Sequence, residues 1–171
     1  MRLFVAINLP SSVCFELKRL QNNLPNAILK NVNDFHLTLK FLGEVDDSKL
    51  DLVIDALSEV KLDGFVGSLD GLGVFPGEFH INVVWCGVKG EFRELASLVK
   101  DALPDFKDDF PFVPHLTLAR VKMINDKRQF VGDLMKVKVN PIKFNVNSFS
   151  LLKSSLTSSG PVYSILKEFK L

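Results

Sequence analysis

Apolar residues recur along the chain with two different periods, and these periods predict its secondary structure. Short apolar runs, with the alternation typical of strands, predict β-strands over residues 2–8, 35–42, 81–88, 112–121 and 162–169. Residues 64–75 contain four glycines, which predicts an irregular strand with a bend or a bulge. After Pro141 the apolar positions shift from even to odd numbers, which predicts a strand with a bulge near Asn147 and Ser148.

The segments between these strands show the period of a helix instead. Apolar residues three and four positions apart predict helices over about residues 11–24, 47–57 and 91–103. A shorter helix is expected after a cap at Asn125 or Asp126. The predicted order is β-α-β-α-β followed by β-α-β-α-β-β. This order predicts the α+β class, with antiparallel or mixed sheets that are flanked by helices.

One four-residue phrase, His-Leu-Thr-Leu, occurs twice, at residues 36–39 and 115–118. Successive side chains of a strand point to opposite faces, so each histidine shares a face with its threonine. The leucines are therefore expected in the core, and the pairs His36–Thr38 and His115–Thr117 on the opposite face. A single His-x-Thr would indicate no more than a half-buried strand. Two of the chain's three histidines lie in this phrase, which makes coincidence a poor explanation.

The two copies of the phrase are 79 residues apart, and the same offset places strand 2–8 on strand 81–88. A fixed offset of this kind indicates an internal repeat. We therefore predict a single domain, residues 1–171, built from two duplicated lobes of about residues 1–78 and 79–171. The lobes would be related by a pseudo-twofold axis, and each would contribute one histidine strand to a shared cleft.

Composition narrows the class of protein. With 171 residues, of which 47% are hydrophobic, the chain is long enough for one sizeable core. It contains no apolar run of the roughly 20 residues that span a bilayer and no signal-peptide pattern, so a cytoplasmic protein without membrane contact is expected. Cys14 and Cys86 have neither metal-site nor disulfide spacing. We expect no metal and no cofactor, and nothing indicates an obligate dimer, so a monomer is expected.

Charge is distributed unevenly along the chain. The net charge is +1, but residues 115–153 carry eight Lys and Arg against two Asp. One explanation is a solvated surface, and the other is a lobe that faces a polyanion.

Several segments carry a resemblance to a known family. These are MRLFVAI at residues 1–7, HLTLKFLGEV at 36–45, FVPHLTLARV at 112–121, FSLLKS at 149–154 and GPVY at 160–163. They resemble the LigT-like RNA 2′,3′-cyclic phosphodiesterases, once called RNA 2′–5′ ligases, of the two-histidine phosphoesterase superfamily. The resemblance runs the length of the chain. One departure is that residues 29–35 lack the expected tryptophan and look short, so the substrate contacts of that loop are open.

Two imidazoles on rigid strands can supply a general acid and a general base near neutral pH. The alternation does not say which is which. The resemblance implies that His36 protonates the leaving oxygen and that His115 activates water. It also implies that Thr38, Thr117 and Arg120 bind the phosphate.

Three further residues have competing interpretations. Strict alternation places Arg120 on the leucine face, so Arg120 can serve only if the strand ends or twists after Leu118. Lys40 is in phase with His36 and is interpreted as a solvent-facing lysine more readily than as a site residue. Tyr163 could stack on a base or pack in the core.

The function implied by the resemblance is the opening of RNA 2′,3′-cyclic phosphate ends, such as those of tRNA halves, to 2′-phosphates. Two alternatives stay open at this point. One is 2′–5′ RNA ligation at the same site, in which an RNA 5′-hydroxyl replaces water. The other is a non-catalytic nucleotide- or RNA-binding module, against which the retention of two complete His-x-Thr pairs argues.

Overall fold

The structure, a computed structural model, describes residues 1–108, 110–158 and 160–171. The described residues form nine strands and four α-helices. The strands are β1 Arg2–Asn8, β2 Ile28–Asn31, β3 His36–Glu44, β4 Phe65–Gly77, β5 His80–Lys89, β6 His115–Met123, β7 Lys143–Val146, β8 Ser148–Thr157 and β9 Gly160–Lys170. The helices are α1 Ser11–Asn22, α2 Leu50–Ser58, α3 Phe92–Ala102 and α4 Lys127–Leu134, and a 3₁₀ turn, Asp47–Lys49, leads into α2.

The strands form two antiparallel sheets, which confirms the predicted α+β class. The first sheet has the order β3-β1-β8-β9, and the second sheet has the order β2-β6-β5-β4-β7. The inward faces of both sheets and the apolar faces of the helices meet in one hydrophobic cluster. Within the described residues, no helix is long and apolar enough to cross a membrane.

The strand pairing repeats with the 79-residue offset found in the sequence. In each sheet a histidine strand lies antiparallel to a buried strand, β3 beside β1 and β6 beside β5, and equivalent residues pair. The pairs that show this are Asn8 with His36, Ala6 with Thr38, Gly87 with His115 and Trp85 with Thr117. The register also slips at equivalent places, because Leu39 and Leu118 are each an extra residue without a partner.

The two halves of the chain exchange their third strand. Strand β4, from the first half, pairs with β5 in the second sheet, whereas β8, from the second half, pairs with β1 in the first sheet. Strand β7 also lies in the second sheet, beside β4, so only Asn147 separates it from β8 in the other sheet. The bulge predicted near Asn147 and Ser148 was therefore wrong. The phase of the apolar residues changes there because the chain passes from one sheet to the other.

Strand β2 was not predicted, because three of its four residues lie in the segment, residues 29–35, that the sequence indicated as a loop. It pairs with the outer edge of β6, and the Val32 amide continues the pairing by donating to the Leu118 carbonyl. From α1, the Gln21 side chain donates to the carbonyl oxygens of both Val32 and Leu118, at 2.8 Å each. These contacts fix the segment before His36 against the second sheet.

A buried carboxylate joins α1 to the chain before β7. Glu16 is 4% exposed, and its two oxygens accept hydrogen bonds from the Arg19 guanidinium at 2.6 and 2.8 Å. The backbone and side-chain nitrogens of Asn140 donate to the same carboxylate at 3.1 and 3.0 Å. Arg19 also donates to the carbonyl of Lys138. The hydrogen bond from Arg19 is the main reason that the pKa of Glu16 is lowered to about 2.

We expect Glu16→Gln to lower the free energy of unfolding near pH 7 by about 2 kcal/mol, since it removes the charge that Arg19 and Asn140 surround. The folded pKa lies below the ordinary value of 4.5. The ionised carboxylate therefore contributes its full stability above that pH and loses it as the pH falls towards 2. Urea unfolding from pH 7 to pH 3 should show the variant and the wild type converging. Glu59→Gln, at an exposed position, is the control. If the free energies of unfolding of Glu16→Gln and the wild type differed by the same amount at every pH, this account would be contradicted.

Candidate active site

Each copy of the repeated phrase presents its histidine and threonine on the face opposite the core. Leu37 and Leu116 are fully buried, whereas His36, Thr38, His115 and Thr117 are half-buried. Strands β3 and β6 also contact each other, so the two phrases lie side by side across the sheets. Burial is the main cause of the lowered pKa of His36, and the charge of His115 contributes to it. Both His-Thr pairs therefore lie outside the core on two strands that contact each other, and the space that they face is called the cleft below.

The register slip after each threonine decides which later residues reach this cleft. Leu118 and Ala119 are both buried, and Arg120 then points out of the core. The bulge thus places Arg120 on the same face as His115, which resolves the conflict that strict alternation created.

The equivalent slip in β3 turns Lys40 inward. Lys40 is only 2% exposed, and its Nζ lies 2.6 Å from an oxygen of Asp108. The interpretation of Lys40 as a solvent-facing or cleft residue was therefore wrong. The next residue, Phe41, occupies the position equivalent to Arg120 and is 67% exposed.

The His36 ring packs against two aromatic side chains of the first sheet. Its centroid lies 5.1 Å from that of Phe4 and 4.9 Å from that of Tyr163, edge-on to the tyrosine. Tyr163 therefore lies against the histidine at the edge of the cleft. The Nδ1 atom of His36 is buried and has no hydrogen-bond partner among the described residues.

The His115 ring has a different environment. Its Nδ1 lies 2.7 Å from the carbonyl oxygen of Val113, and because a carbonyl only accepts, Nδ1 carries the proton. In the neutral ring, Nε2 is therefore the proton acceptor. Two aromatic side chains of the second sheet pack against the ring: Phe75 lies edge-on to it at 4.8 Å, and Trp85 lies at 6.1 Å.

Trp85 depends on a glycine of the neighbouring strand. A Cβ atom at Gly73 would lie 2.3 Å from the indole ring, so any larger residue there would displace the tryptophan. Gly73 and Trp85 are cross-strand partners of β4 and β5, and the ring lies across its partner. The glycine therefore allows the aromatic wall beside His115 to form.

Burial lowers the pKa of both cleft histidines, since an apolar environment disfavours the charged imidazole. The negative charge of Asp34 opposes this effect at His36, and the Val113 carbonyl opposes it at His115. Asp34 lies in the segment before β3 that the sequence left without assigned contacts.

Basic side chains lie near the cleft on both sheets. Burial raises the pKa of Tyr163, and the charges of Arg120 and Arg2 oppose this effect. Arg2 is on β1, in the same sheet as the tyrosine, and Arg120 is on β6, in the second sheet. Lys30, on β2, is the cross-strand partner of Arg120 and shares its face. This arrangement suits an anionic ligand.

The described residues contain no group of three or more His, Cys, Asp or Glu side chains that could hold a metal ion. The donor set of the cleft is instead imidazole, hydroxyl and guanidinium groups, which bind and protonate oxyanions.

The sequence missed several residues of the cleft. Phe4, Phe75 and Trp85 looked like core residues because they lie in apolar strands. Phe41 and Lys30 depend on a bulge and on a short strand that the pattern does not reveal. Only the alignment of Arg120 with Phe41 under the 79-residue offset could have indicated that the two share a structural role.

The fold and the cleft together define a class of protein: an α+β protein with equivalent strands that each present a His-x-Thr pair outside the core. Comparison with known proteins gives the same class. The model of a family described as the 2′-5′ RNA ligase superfamily matches residues 9–157. The chain belongs to this superfamily.

Curated relatives and solved structures agree with this assignment. The chain is 38% identical over 180 residues to an RNA 2′,3′-cyclic phosphodiesterase of Archaeoglobus fulgidus, and 33% identical over 175 residues to one of Methanocaldococcus jannaschii. Each alignment covers 99% of this chain and 100% of the relative. The crystal structure of TT0787 of Thermus thermophilus matches with a TM-score of 0.82 and 31% identity, covering 100% of this chain and 98% of that one. The structure of E. coli LigT with 3′-AMP matches with a TM-score of 0.80 and 27% identity, covering 99% and 97%.

We expect the His36 imidazole to titrate below its ordinary pKa of 6.5, and Asp34→Asn to lower that pKa further, because the variant loses the charge that favours the imidazolium. Titration of the imidazole signals by NMR measures both effects. Asp51→Asn, at an exposed position on α2, is the matched control and should leave the titration unchanged. An unchanged His36 titration in Asp34→Asn would refute the influence of this carboxylate.

Proposed function

We propose that this protein opens RNA 2′,3′-cyclic phosphate ends to 2′-phosphates, with His36 as the general acid and His115 as the general base. The observation that carries the proposal is the matched register of β1–β3 and β5–β6, which directs a His-Thr pair out of the core on each of two strands that contact each other. The names of the curated relatives support the reaction.

The chemistry requires two proton transfers. Water attacks phosphorus and loses a proton, the bond from phosphorus to the 3′-oxygen breaks, and that oxygen gains a proton. An imidazole on each side of the phosphorus performs both transfers, each worth about 10²–10⁴-fold in rate. The product carries a 2′-phosphate and a 3′-hydroxyl.

The hydrogen bond of His115 supports its role as the base. The Val113 carbonyl holds the proton on Nδ1 of His115, which leaves Nε2 of the neutral ring as a base. Burial lowers the pKa of both rings, and the charge of Asp34 at His36 and the Val113 carbonyl at His115 oppose it. The role of His36 as the acid follows from the family resemblance.

The remaining cleft residues suit the phosphate. The hydroxyl groups of Thr38 and Thr117 can donate to its non-bridging oxygens, and Arg120 can form two parallel hydrogen bonds. These donors stabilise the charge that develops on the oxygens in the transition state. A non-catalytic RNA-binding module would need the cations, but it would not need two titratable rings.

The substrate in this proposal is an RNA that ends in a 2′,3′-cyclic phosphate, such as a tRNA half, and the protein acts as a cytoplasmic monomer. The cations near the cleft, Arg2, Lys30 and Arg120, support a polyanionic partner. Each half supplies one histidine of the same cleft, so one chain contains both catalytic groups.

His36→Ala and His115→Ala should each reduce turnover of such an RNA by at least about 10²-fold, and the double variant should be little worse, because the pair acts as a unit. His80→Ala is the matched control, since His80 is exposed at the start of β5. Identification of the terminal phosphate tests the assigned orientation. A 3′-phosphate product would reverse the orientation, and full activity in either cleft variant would overturn the mechanism.

Turnover should persist in EDTA, because the cleft offers imidazole, hydroxyl and guanidinium groups rather than a set of metal ligands among the described residues. The assay compares the initial rate of the dialysed protein with and without chelator, and then with added Mg²⁺ or Mn²⁺. Loss of activity in EDTA that added metal restores would show that the reaction needs an ion.

A further inference from the structure

The histidine that is proposed as the base is oriented by a backbone carbonyl that lies outside the regular secondary structure. The Nδ1 atom of His115 lies 2.7 Å from the carbonyl oxygen of Val113. Residues 111–114 belong to no helix or strand, because the pairing of β5 with β6 ends at His115. Within the described part of the chain, Phe112 and Val113 take part in no backbone–backbone hydrogen bond. The direction of the Val113 carbonyl must therefore be fixed in another way.

One fixed point comes from α3. The guanidinium of Arg93, the second residue of that helix, donates a hydrogen bond of 2.8 Å to the Phe112 carbonyl. The Arg93 side chain makes no other hydrogen bond within the described residues. Arg93, Val113 and Pro114 also line one cavity, so the side chain lies against the segment that it binds. The Phe112 carbonyl is thus tied to the helix.

Pro114 supplies the second constraint. Because the peptide bond is planar, only the angles φ and ψ of Val113 separate the Phe112 carbonyl from the Val113 carbonyl. A residue that precedes a proline is confined to extended conformations, and the branched Cβ of valine favours the same region. Since Arg93 holds the first carbonyl and Val113 stays extended, the second carbonyl has one direction, which is that of Nδ1 of His115.

The first half of the chain lacks both constraints. The positions 79 residues before Arg93 and Pro114 hold Cys14 and Phe35. The Cys14 thiol donates to the carbonyl five residues before it, at 3.9 Å, rather than to the segment before β3. In that half the Nδ1 atom of His36 is buried without a hydrogen-bond partner among the described residues. The half that has the arginine and the proline is therefore the half whose histidine is bonded at Nδ1.

We propose that Arg93 is a positioning residue for the reaction, which acts through the Phe112–Val113 peptide to keep the Val113 carbonyl on Nδ1 of His115. The inference rests on the proposed role of His115 as the general base. A neutral histidine can carry its proton on either ring nitrogen. The carbonyl accepts only from the tautomer with the proton on Nδ1, and only this tautomer has a free lone pair on Nε2 for the proton of the attacking water. Arg93 therefore acts on the population of the active tautomer.

The test replaces Arg93, whose exposed position allows substitution without loss of the fold. Arg93→Met removes the donor and keeps most of the stem of the side chain. It should lower kcat for hydrolysis of an RNA with a 2′,3′-cyclic phosphate end about tenfold, with KM within about twofold of the wild-type value, because most His115 rings then carry the proton on Nε2. Arg93→Lys keeps a donor and the charge. It should restore kcat to within about threefold of wild type, since a single hydrogen bond does not need the bidentate fork of arginine.

The ring nitrogen signals of His115 in ¹⁵N NMR spectra report the tautomer and need no substrate. At a pH above the pKa of the ring, the wild-type protein should show the proton on Nδ1, and Arg93→Met should show it mostly on Nε2. The signals of His36 should stay unchanged, since its Nδ1 atom has no such partner. Arg128→Met, at an exposed position on α4, is the matched control for the loss of a surface cation. It should change neither kcat nor the tautomer.

The outcomes separate this inference from the proposed function. A His115 ring that keeps its proton on Nδ1 in Arg93→Met would overturn the inference. A raised KM with unchanged kcat would make Arg93 a contact of the RNA and would also overturn it. Absence of turnover from the wild-type protein would overturn the proposed function itself, whereas the spectra would still decide whether Arg93 sets the tautomer.

Discussion

The pairing of β1 with β3 and of β5 with β6, each with one extra residue after the threonine, is the constraint on which the site depends. Before the extra residue, strand alternation directs each His-Thr pair out of the core and the leucines into it. After it the phase reverses, so that Phe41 and Arg120 return to the face of the histidines while Lys40 and Ala119 are buried. A regular strand would place the arginine in the core, where an unpaired charge is costly.

The two halves share a backbone arrangement but differ in the side chains beside the histidines. His36 packs against Phe4 and Tyr163, whereas His115 packs against Phe75 and Trp85 and is bonded to the Val113 carbonyl. A symmetric pair of imidazoles would have equal pKa values and no preferred direction of proton transfer. The differing neighbours therefore give the two rings different surroundings on the two sides of the cleft.

Much of the fold could be predicted from the sequence, because most elements are long and their apolar periods are clear. The repeated phrase alone predicted that the side chains of His36, Thr38, His115 and Thr117 lie outside the core, as they do in the structure. The errors arose where pairing, rather than local pattern, decides the structure. Strand β2 is four residues long and exists because β6 offers it an edge. Lys40 is buried because a bulge turns it towards Asp108. No apolar period in the sequence predicts either feature. At Asn147 the passage of the chain from one sheet to the other shifts the apolar positions from even to odd numbers, as a bulge would also do.

The exchange of third strands explains why the two sheets hold the cleft in one geometry. Each sheet needs a strand from the other half: β8 completes the first sheet beside β1, and β4 completes the second beside β5. The carboxylate of Glu16 adds a polar tie between α1 and the chain that enters β7. A movement that separated the sheets would have to strain Asn147, the single residue between β7 and β8. Otherwise it would have to break the pairing of β8 with β1 or of β4 with β5. The topology therefore holds β3 and β6, which carry the two histidines, in a fixed relation, and this suits the mechanism proposed above, in which acid and base act on opposite sides of one phosphorus atom.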